Sequence, residues 1–112
     1  MKIDSRMVGD IHFLDCRGQI TAGKDAMAVR TTVGDILKHG AKKIVLNLAD
    51  VAYMDNSGLG ELVSAYTKIA KYGGQLKLLH PTKRIRELLS IMGLLTVFRV
   101  YDSEPASVAG FV

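Results

Sequence analysis

Residues 51–60, with the sequence VAYMDNSGLG, hold the side chains best suited to chemistry in this chain. Ser57 carries a hydroxyl group, Asp55 provides a carboxylate two positions earlier, and Gly58 and Gly60 follow. A strand pattern ends before this segment and a helix pattern begins within it. A helix start presents unpaired N–H groups and the positive end of the helix dipole, which favour a phosphate group. The segment therefore indicates a surface corner, with glycines that let another molecule approach the backbone.

Ser57 and the two glycines each allow a second, structural interpretation. Serine and aspartate are preferred N-cap residues, and such a cap contributes about 1 kcal/mol. A capping hydroxyl at a surface corner can still be reached by a kinase, so both roles of Ser57 remain compatible. Gly58 and Gly60 either form a flat docking floor or serve turn geometry alone. We expect Asp55 to fix the corner through its carboxylate.

Known catalytic motifs do not fit this corner. The nucleophile elbow Gly-x-Ser-x-Gly needs a glycine two positions before and two positions after the serine, but Asp55 and Leu59 occupy these positions around Ser57. The chain has no Gly-x-x-x-x-Gly-Lys-Ser/Thr phosphate loop. A receiver domain phosphorylated at Asp55 would need an acidic pair after its first strand and a lysine that ends its last strand, and neither is evident. We therefore expect no enzymatic activity.

The remaining candidates for catalysis or metal binding are His12, His39, His80 and Cys16, and the three histidines lie far apart in the sequence. His39 precedes a glycine and is expected at a helix C-terminus, where the dipole favours it. Cys16 is expected to pack as a small apolar group. A single cysteine excludes an internal disulfide and a zinc site with several cysteines. We expect no metal and no cofactor.

Size and composition predict one soluble domain that spans residues 1–112. The chain is 48% hydrophobic, yet no apolar run approaches the ~20 residues that cross a bilayer. With no apolar signal core near the N-terminus, we expect a cytoplasmic protein without membrane insertion. The formal charge of +4 comes from scattered basic residues without interleaved aromatic residues. That pattern does not favour direct DNA binding.

The hydrophobic pattern predicts the elements that must position the corner. The chain begins with a hairpin of strands 2–8 and 11–16, followed by a helix that Asp25 caps and Gly40 stops. Strand 43–48, a helix over about 58–72 and strand 76–79 come next. A helix opened by Pro81-Thr82 and closed by Gly93, strand 96–100, and a short terminal helix that starts at 102–105 complete the chain. The order is β-β-α-β-α-β-α-β-α. Right-handed crossovers then give a five-stranded mixed sheet with about four α-helices.

The predicted second helix has two faces. Its apolar stripe consists of Leu59, Leu62, Val63, Tyr66, Ile69 and Ala70. Glu61, Ser64 and Lys68 are expected to be exposed and to border the corner.

The run of residues 44–60, IVLNLADVAYMDNSGLG, resembles the signature of the bacterial anti-sigma factor antagonists, which are STAS domains. The family motif reads close to Met-Asp-Ser-Ser-Gly-Leu-Gly, and its second serine is phosphorylated. The likeness continues through residues 73–76, 81–85 and 92–95, and it covers most of residues 10–112. The resemblance implies a STAS-like fold, in agreement with the predicted order of elements.

A partner-switching regulator is the function that the resemblance implies. An unphosphorylated antagonist binds an anti-sigma factor that is also a serine kinase, and a sigma factor is released. The kinase then phosphorylates the position that matches Ser57, the complex dissociates, and a metal-dependent, PP2C-like serine phosphatase restores the antagonist. ATP belongs to the kinase, so the resemblance implies no cofactor here. Asn56 replaces the first serine of the motif, which leaves Ser57 as the phosphorylatable hydroxyl at the corner.

The partner is expected to contact the corner and the adjoining helix face. The expected contact residues are Asp55, Asn56, Gly58, Leu59, Gly60, Glu61, Ser64 and Thr21. Thr21 lies in the loop where family members often carry an aspartate, so the kinase contact or the regulator is expected to differ. The alternative is a STAS-type cytoplasmic accessory subunit of a membrane transport complex, in which Ser57 would be mainly structural.

Overall fold

Helices and strands alternate after an opening hairpin in the computed structural model, which describes residues 1–111. The elements are β1 Lys2–Val8, β2 Ile11–Ile20, α1 Lys24–Lys38, β3 Lys43–Met54, α2 Asn56–Lys71, β4 Gln75–Leu79, α3 Lys83–Ile91, β5 Arg99–Tyr101 and α4 Glu104–Ala109. The predicted order and the five-stranded mixed sheet with four helices are confirmed. The predicted domain ends at Val112, which lies outside the described residues.

The five strands lie in the sheet in the same order as in the chain. β1 pairs with β2 antiparallel, whereas β2, β3, β4 and β5 pair with one another in parallel. Parallel neighbours need a crossover, and helices provide it here. The carboxyl ends of β2 and β3 therefore meet at one edge, where Ile20 pairs with Met54. That edge carries the starts of α1 and α2.

Each face of the sheet has its own apolar cluster, because successive strand residues point to opposite faces. The larger cluster joins strand residues such as Leu46 and Leu78 to buried residues of α1, α2 and α3. The smaller cluster contains Ile11, Phe13, Val45 and Leu79, and Val108 of α4 packs against it. Three long helices thus cover one face, and α4 covers part of the other.

Two strands are longer than the sequence predicts. β2 continues beyond residue 16 to Ile20, and β3 continues beyond residue 48 to Met54. The extra residues pair with each other through two shifts of register, between Asp15 and Arg17 and between Gly18 and Gln19. Such irregularities break the strict alternation from which strand ends are predicted.

Two other boundaries were wrong. The last strand begins at Arg99 and not at residue 96, because Gly93 adopts a left-handed conformation (φ 69°) and a 3₁₀ turn, Leu94–Thr96, follows it. Asp25 does not cap α1, since the N-cap is Gly23 without a side-chain bond and Asp25 lies in the first turn. There its carboxylate accepts a hydrogen bond from the Thr21 hydroxyl at 2.9 Å.

The buried stripe of α2 also differs from the predicted one. Its buried apolar side chains are Leu59, Leu62, Ala65 and Ile69. Val63 and Ala70, predicted to be buried, are exposed. The reason is that α2 packs against α1 as well as the sheet, which turns its buried side toward α1.

Candidate functional site

A single residue, Asp55, separates the end of β3 from the start of α2. Its backbone is extended (φ −96°, ψ −177°), and its Oδ1 accepts a hydrogen bond from the Gly58 N–H at 2.8 Å. This confirms that Asp55 fixes the corner. The alternative in which Ser57 is the N-cap is wrong, because Asp55 fills that role and Ser57 lies within the first turn. The Ser57 hydroxyl is therefore not required for capping.

The corner is fastened to the end of the neighbouring strand. The Asp55 N–H donates to the Ile20 carbonyl oxygen at 3.4 Å. Gly58 is buried, and a Cβ atom placed on it would lie 1.9 Å from that oxygen. Of the two glycines expected to form a docking floor, Gly58 is buried and serves close packing, whereas Gly60 is exposed and a Cβ on it would meet no atom within 4 Å. Leu59, a predicted contact residue, is buried with 4% exposure.

Ser57 is exposed and lines a groove between the first turns of α1 and α2. This groove has a volume of about 310 Å³. Its lining residues are Ala22, Gly23, Ala26, Met27, Arg30, Ser57 and Glu61. We call it the α1–α2 groove. In this groove the accessible Ser57 hydroxyl lies beside the exposed Met27 and the opposite charges of Arg30 and Glu61.

An ion pair crosses the α1–α2 groove. Arg30 Nη2 of α1 donates a hydrogen bond to Glu61 Oε1 of α2. This bond raises the pKa of Arg30. The Arg30 side chain is 62% exposed, but that of Glu61 is only 14% exposed. The expectation that Glu61 lies on an open face is therefore wrong, because α1 packs beside it.

Ser64 and Lys68 extend the row that Ser57 and Glu61 begin. These four residues recur at the three- and four-residue spacing that aligns side chains along a helix. Ser64 and Lys68 are exposed and line a second hollow of about 170 Å³, which also includes Arg30 and Glu61. The structure thus brings two of the predicted contact residues, Glu61 and Ser64, to the side of α2 that faces α1.

Asp55 and Asn56 lie on the other side of the corner. They line a groove of about 400 Å³ that runs beside α3. Arg84 lies there with its guanidinium carbon 5.2 Å from the centroid of the Tyr53 ring. Ile91, at the end of α3, is 80% exposed at the same groove. Two of the predicted contact residues, Asp55 and Asn56, therefore line a different groove from Glu61.

Thr21 stays close to the corner but outside both linings. Besides its bond to Asp25, its carbonyl oxygen accepts the Ala26 N–H at 3.0 Å. The residue is half-buried and helps to start α1. The structure therefore gives Thr21 a role in holding the α1 end of the groove.

Sequence reasoning missed the residues that α1 and α3 contribute, chiefly Met27, Arg30 and Arg84. Each lies on a helix other than the one that carries the motif. The signal that could have found Met27 and Arg30 is the pairing of β2 with β3, which places the helices that follow these strands side by side.

Cys16 and the histidines lie apart from the corner. Cys16 is buried, and burial raises the pKa of its thiol to about 12. This confirms that it packs as an apolar group. Within residues 1–111, no three His, Cys, Asp or Glu side chains come together in a way that could hold a metal ion. Over the same residues, no helix combines the length and apolarity that a membrane crossing needs.

Residues 2–106 match the model of the STAS domain family, so the chain belongs to that family. An anti-sigma factor antagonist homologue of Thermotoga neapolitana is 33% identical over 69 residues, which are 62% of this chain and 61% of that protein. The anti-sigma F factor antagonist of Paenibacillus polymyxa is 32% identical over 69 residues, or 62% of this chain and 59% of that protein. The chain thus spans about three-fifths of the length of these two relatives.

Solved structures share this fold over nearly the whole chain. An anti-sigma factor antagonist of Thermotoga maritima superposes with a TM-score of 0.89 at 26% identity, covering 96% of this chain and 92% of that one. The phosphorylated form of the Bacillus protein SpoIIAA superposes with a TM-score of 0.76 at 18% identity, covering 99% of this chain and 100% of that one. A sulfate transporter family protein of Wolinella succinogenes superposes with a TM-score of 0.79 at 20% identity, covering 93% of this chain and 86% of that one. The last two likenesses concern the fold alone.

Proposed function

We propose that this protein is an anti-sigma factor antagonist that works by partner switching. Unphosphorylated, it binds an anti-sigma factor that is also a serine kinase, and phosphorylation of Ser57 releases it. The observation that carries the proposal is the exposed Ser57 hydroxyl in the first turn of α2, where Asp55 already supplies the cap. A hydroxyl that no structural role requires is available for modification.

The similar proteins support this direction. Two curated relatives are named as anti-sigma factor antagonists, and one similar structure is of a phosphorylated protein, SpoIIAA. A phosphate at the start of α2 would meet backbone N–H groups and the positive helix end. The domain would therefore stay folded when Ser57 carries the phosphate.

Electrostatic repulsion provides the release step. Phosphorylation adds about −1.5 to −2 charges. One like charge on a partner, about 6 Å away at an effective dielectric constant near 40, then costs roughly 2–3 kcal/mol. That energy weakens binding by about 30-fold to 150-fold. Removal of the phosphate by a PP2C-like serine phosphatase would restore binding, and the ATP belongs to the kinase.

Phosphorylation by the candidate anti-sigma factor kinase tests the acceptor residue. The purified protein is incubated with the kinase and ATP, and the phosphate is located by mass spectrometry. We expect modification of Ser57 in the native chain and none in Ser57→Ala. Ser64→Ala is the matched control, because Ser64 is an exposed serine further along the same helix. Phosphate on Ser64, or undiminished labelling of Ser57→Ala, would contradict the assignment.

Binding measurements with a charge mimic test the release step. Ser57→Asp should weaken binding to the anti-sigma factor by about tenfold or more, while the unfolding midpoint stays nearly unchanged. Ser57→Asn is the matched neutral control and should bind almost as the native chain does. Unfolding of Ser57→Asp, or equal affinities of the two variants, would argue against electrostatic release.

A role as an accessory domain of a transport complex is the second candidate. The Wolinella structure, from a sulfate transporter family protein, favours it through the fold. Capture of interacting proteins from the source cells separates the two functions. Recovery of a serine kinase supports the antagonist, whereas recovery of transporter subunits supports the accessory role.

A further inference from the structure

The bond between Arg30 and Glu61 leaves Arg30 able to change partner. It joins one guanidinium nitrogen, Nη2, to one carboxylate oxygen, Oε1. A guanidinium group carries five N–H donors, so most of its donors remain for other acceptors. The Arg30 side chain is also largely exposed. It can therefore turn without disturbing the core.

Ser57 lies one helical turn before Glu61 on α2. Residues four apart on a helix have their Cβ atoms about 5–6 Å from each other on the same face. Ser57, Glu61 and Arg30 line the same groove. The Arg30 side chain could thus reach a phosphate on Ser57 by a change of its rotamer.

The phosphate would be the stronger acceptor for Arg30. It carries up to twice the charge of a carboxylate and three acceptor oxygens, and a guanidinium fork binds it in a bidentate manner. Two other cations are less well placed for this role. The Met1 ammonium group is paired with Asp25 at 2.9 Å, and Lys68 lies about three turns further along α2 than Ser57.

We propose that a phosphate on Ser57 takes Arg30 away from Glu61 and draws its side chain across the α1–α2 groove. This inference rests on the proposed phosphorylation of Ser57 and adds a residue of this chain, Arg30, that binds the phosphate. Met27 of the same groove is 58% exposed in the unphosphorylated chain and becomes covered when Arg30 turns. Phosphorylation then closes an apolar contact surface besides adding charge.

Protein with phosphoserine installed at position 57 by genetic encoding tests the exchange without any kinase. The second pKa of the phosphate is followed by ³¹P NMR. We expect it to be lower in the native sequence than in Arg30→Gln by about 1 unit, since a neighbouring cation favours the dianion. Arg84→Gln, which removes an arginine beside the opposite groove, should leave that pKa unchanged.

The conservative variant separates pairing from charge alone. Arg30→Lys keeps the positive charge but lacks the planar fork, so the phosphate pKa should fall between those of the native chain and Arg30→Gln. Equal pKa values in the native chain and Arg30→Gln would overturn the inference. That result would leave phosphorylation by a kinase untouched, so the two proposals can fail separately.

Oxidation of Met27 tests closure of the groove with a neutral reagent. With hydrogen peroxide and peptide mapping, we expect Met27 sulfoxide to form about twofold or more slowly in the phosphorylated chain than in the unphosphorylated one, because access controls this reaction. Met92, which is 53% exposed on the C-terminal side of α3, is the internal control. The difference at Met27 should vanish in Arg30→Gln. An equal rate in both phosphorylation states of the native sequence would exclude closure.

Discussion

Gly58 and Ile20 meet so closely that the space between them cannot hold a methyl group. A Cβ atom on Gly58 would lie 1.9 Å from the Ile20 carbonyl oxygen and 2.9 Å from Cγ2 of the same residue. The first turn of α2 is thereby set against the end of β2. This contact determines how far the Ser57 corner stands above the sheet.

Gly58→Ala should therefore lower the free energy of unfolding by about 3 kcal/mol, at the upper end of overpacking costs, because backbone must move. Gly60→Ala is the matched control in the same helix turn. Its Cβ would meet no atom within 4 Å, so the variant should gain about 0.5–1 kcal/mol from helix propensity. Urea unfolding of both variants measures the difference. Similar values for the two would mean that the contact with Ile20 is not restrictive.

Asp55→Ala removes the acceptor that holds the Gly58 N–H. Loss of this cap should cost about 1 kcal/mol of unfolding free energy. Asp55→Asn keeps a capping oxygen and should cost much less. Thermal or urea unfolding of the pair checks this, and equal losses in both variants would show that charge and not capping is the contribution of Asp55.

Asp15 should make the protein sensitive to acid. Arg6 donates to it through Nε at 2.7 Å and also bonds Glu104 of α4 at 2.6 Å. Burial raises the pKa of Asp15, but hydrogen bonds from Arg6 and Asn47 outweigh it, so this pKa lies below its usual value. A lowered folded-state pKa stabilises the fold above the unfolded pKa of about 3.9, and this gain is lost as pH falls through the folded value.

The melting temperature of Asp15→Asn should accordingly lie below that of the native protein at pH 7. The difference between the two melting temperatures should become smaller as the pH drops below about 4. Arg6→Gln removes the main partner of Asp15 and should flatten the same pH dependence. A gap between native protein and Asp15→Asn that stays constant from pH 7 to pH 3 would contradict a lowered pKa of Asp15 in the folded state.

Cys16 should be unreactive in the folded protein. Its side chain is buried among core residues, and its pKa of about 12 leaves almost no thiolate at neutral pH. A thiol-specific chromogenic reagent should modify it only after denaturant is added. Met27→Cys provides an exposed thiol for comparison and should react at once. Rapid reaction of Cys16 in the native sequence would indicate that β2 opens near this residue.

The corner was predictable because its signals are local. An apolar run, an aspartate and a glycine at fixed spacing indicate a strand followed by a capped helix, and Asp55 takes that role. The choice between Asp55 and Ser57 as cap was not predictable. Both residue types cap well, and the extra length of β3 decides which of them precedes the first turn.

Local sequence patterns suffice to predict the order of strands and helices, since the hydrophobic period and the turn residues act over short distances. Tertiary structure alone decided which helices became neighbours. Because β2 and β3 pair, α1 lies beside α2, and Arg30 meets Glu61 across 31 positions of the chain. Burial of Glu61 and the groove beside Ser57 follow from this pairing, which no local pattern encodes.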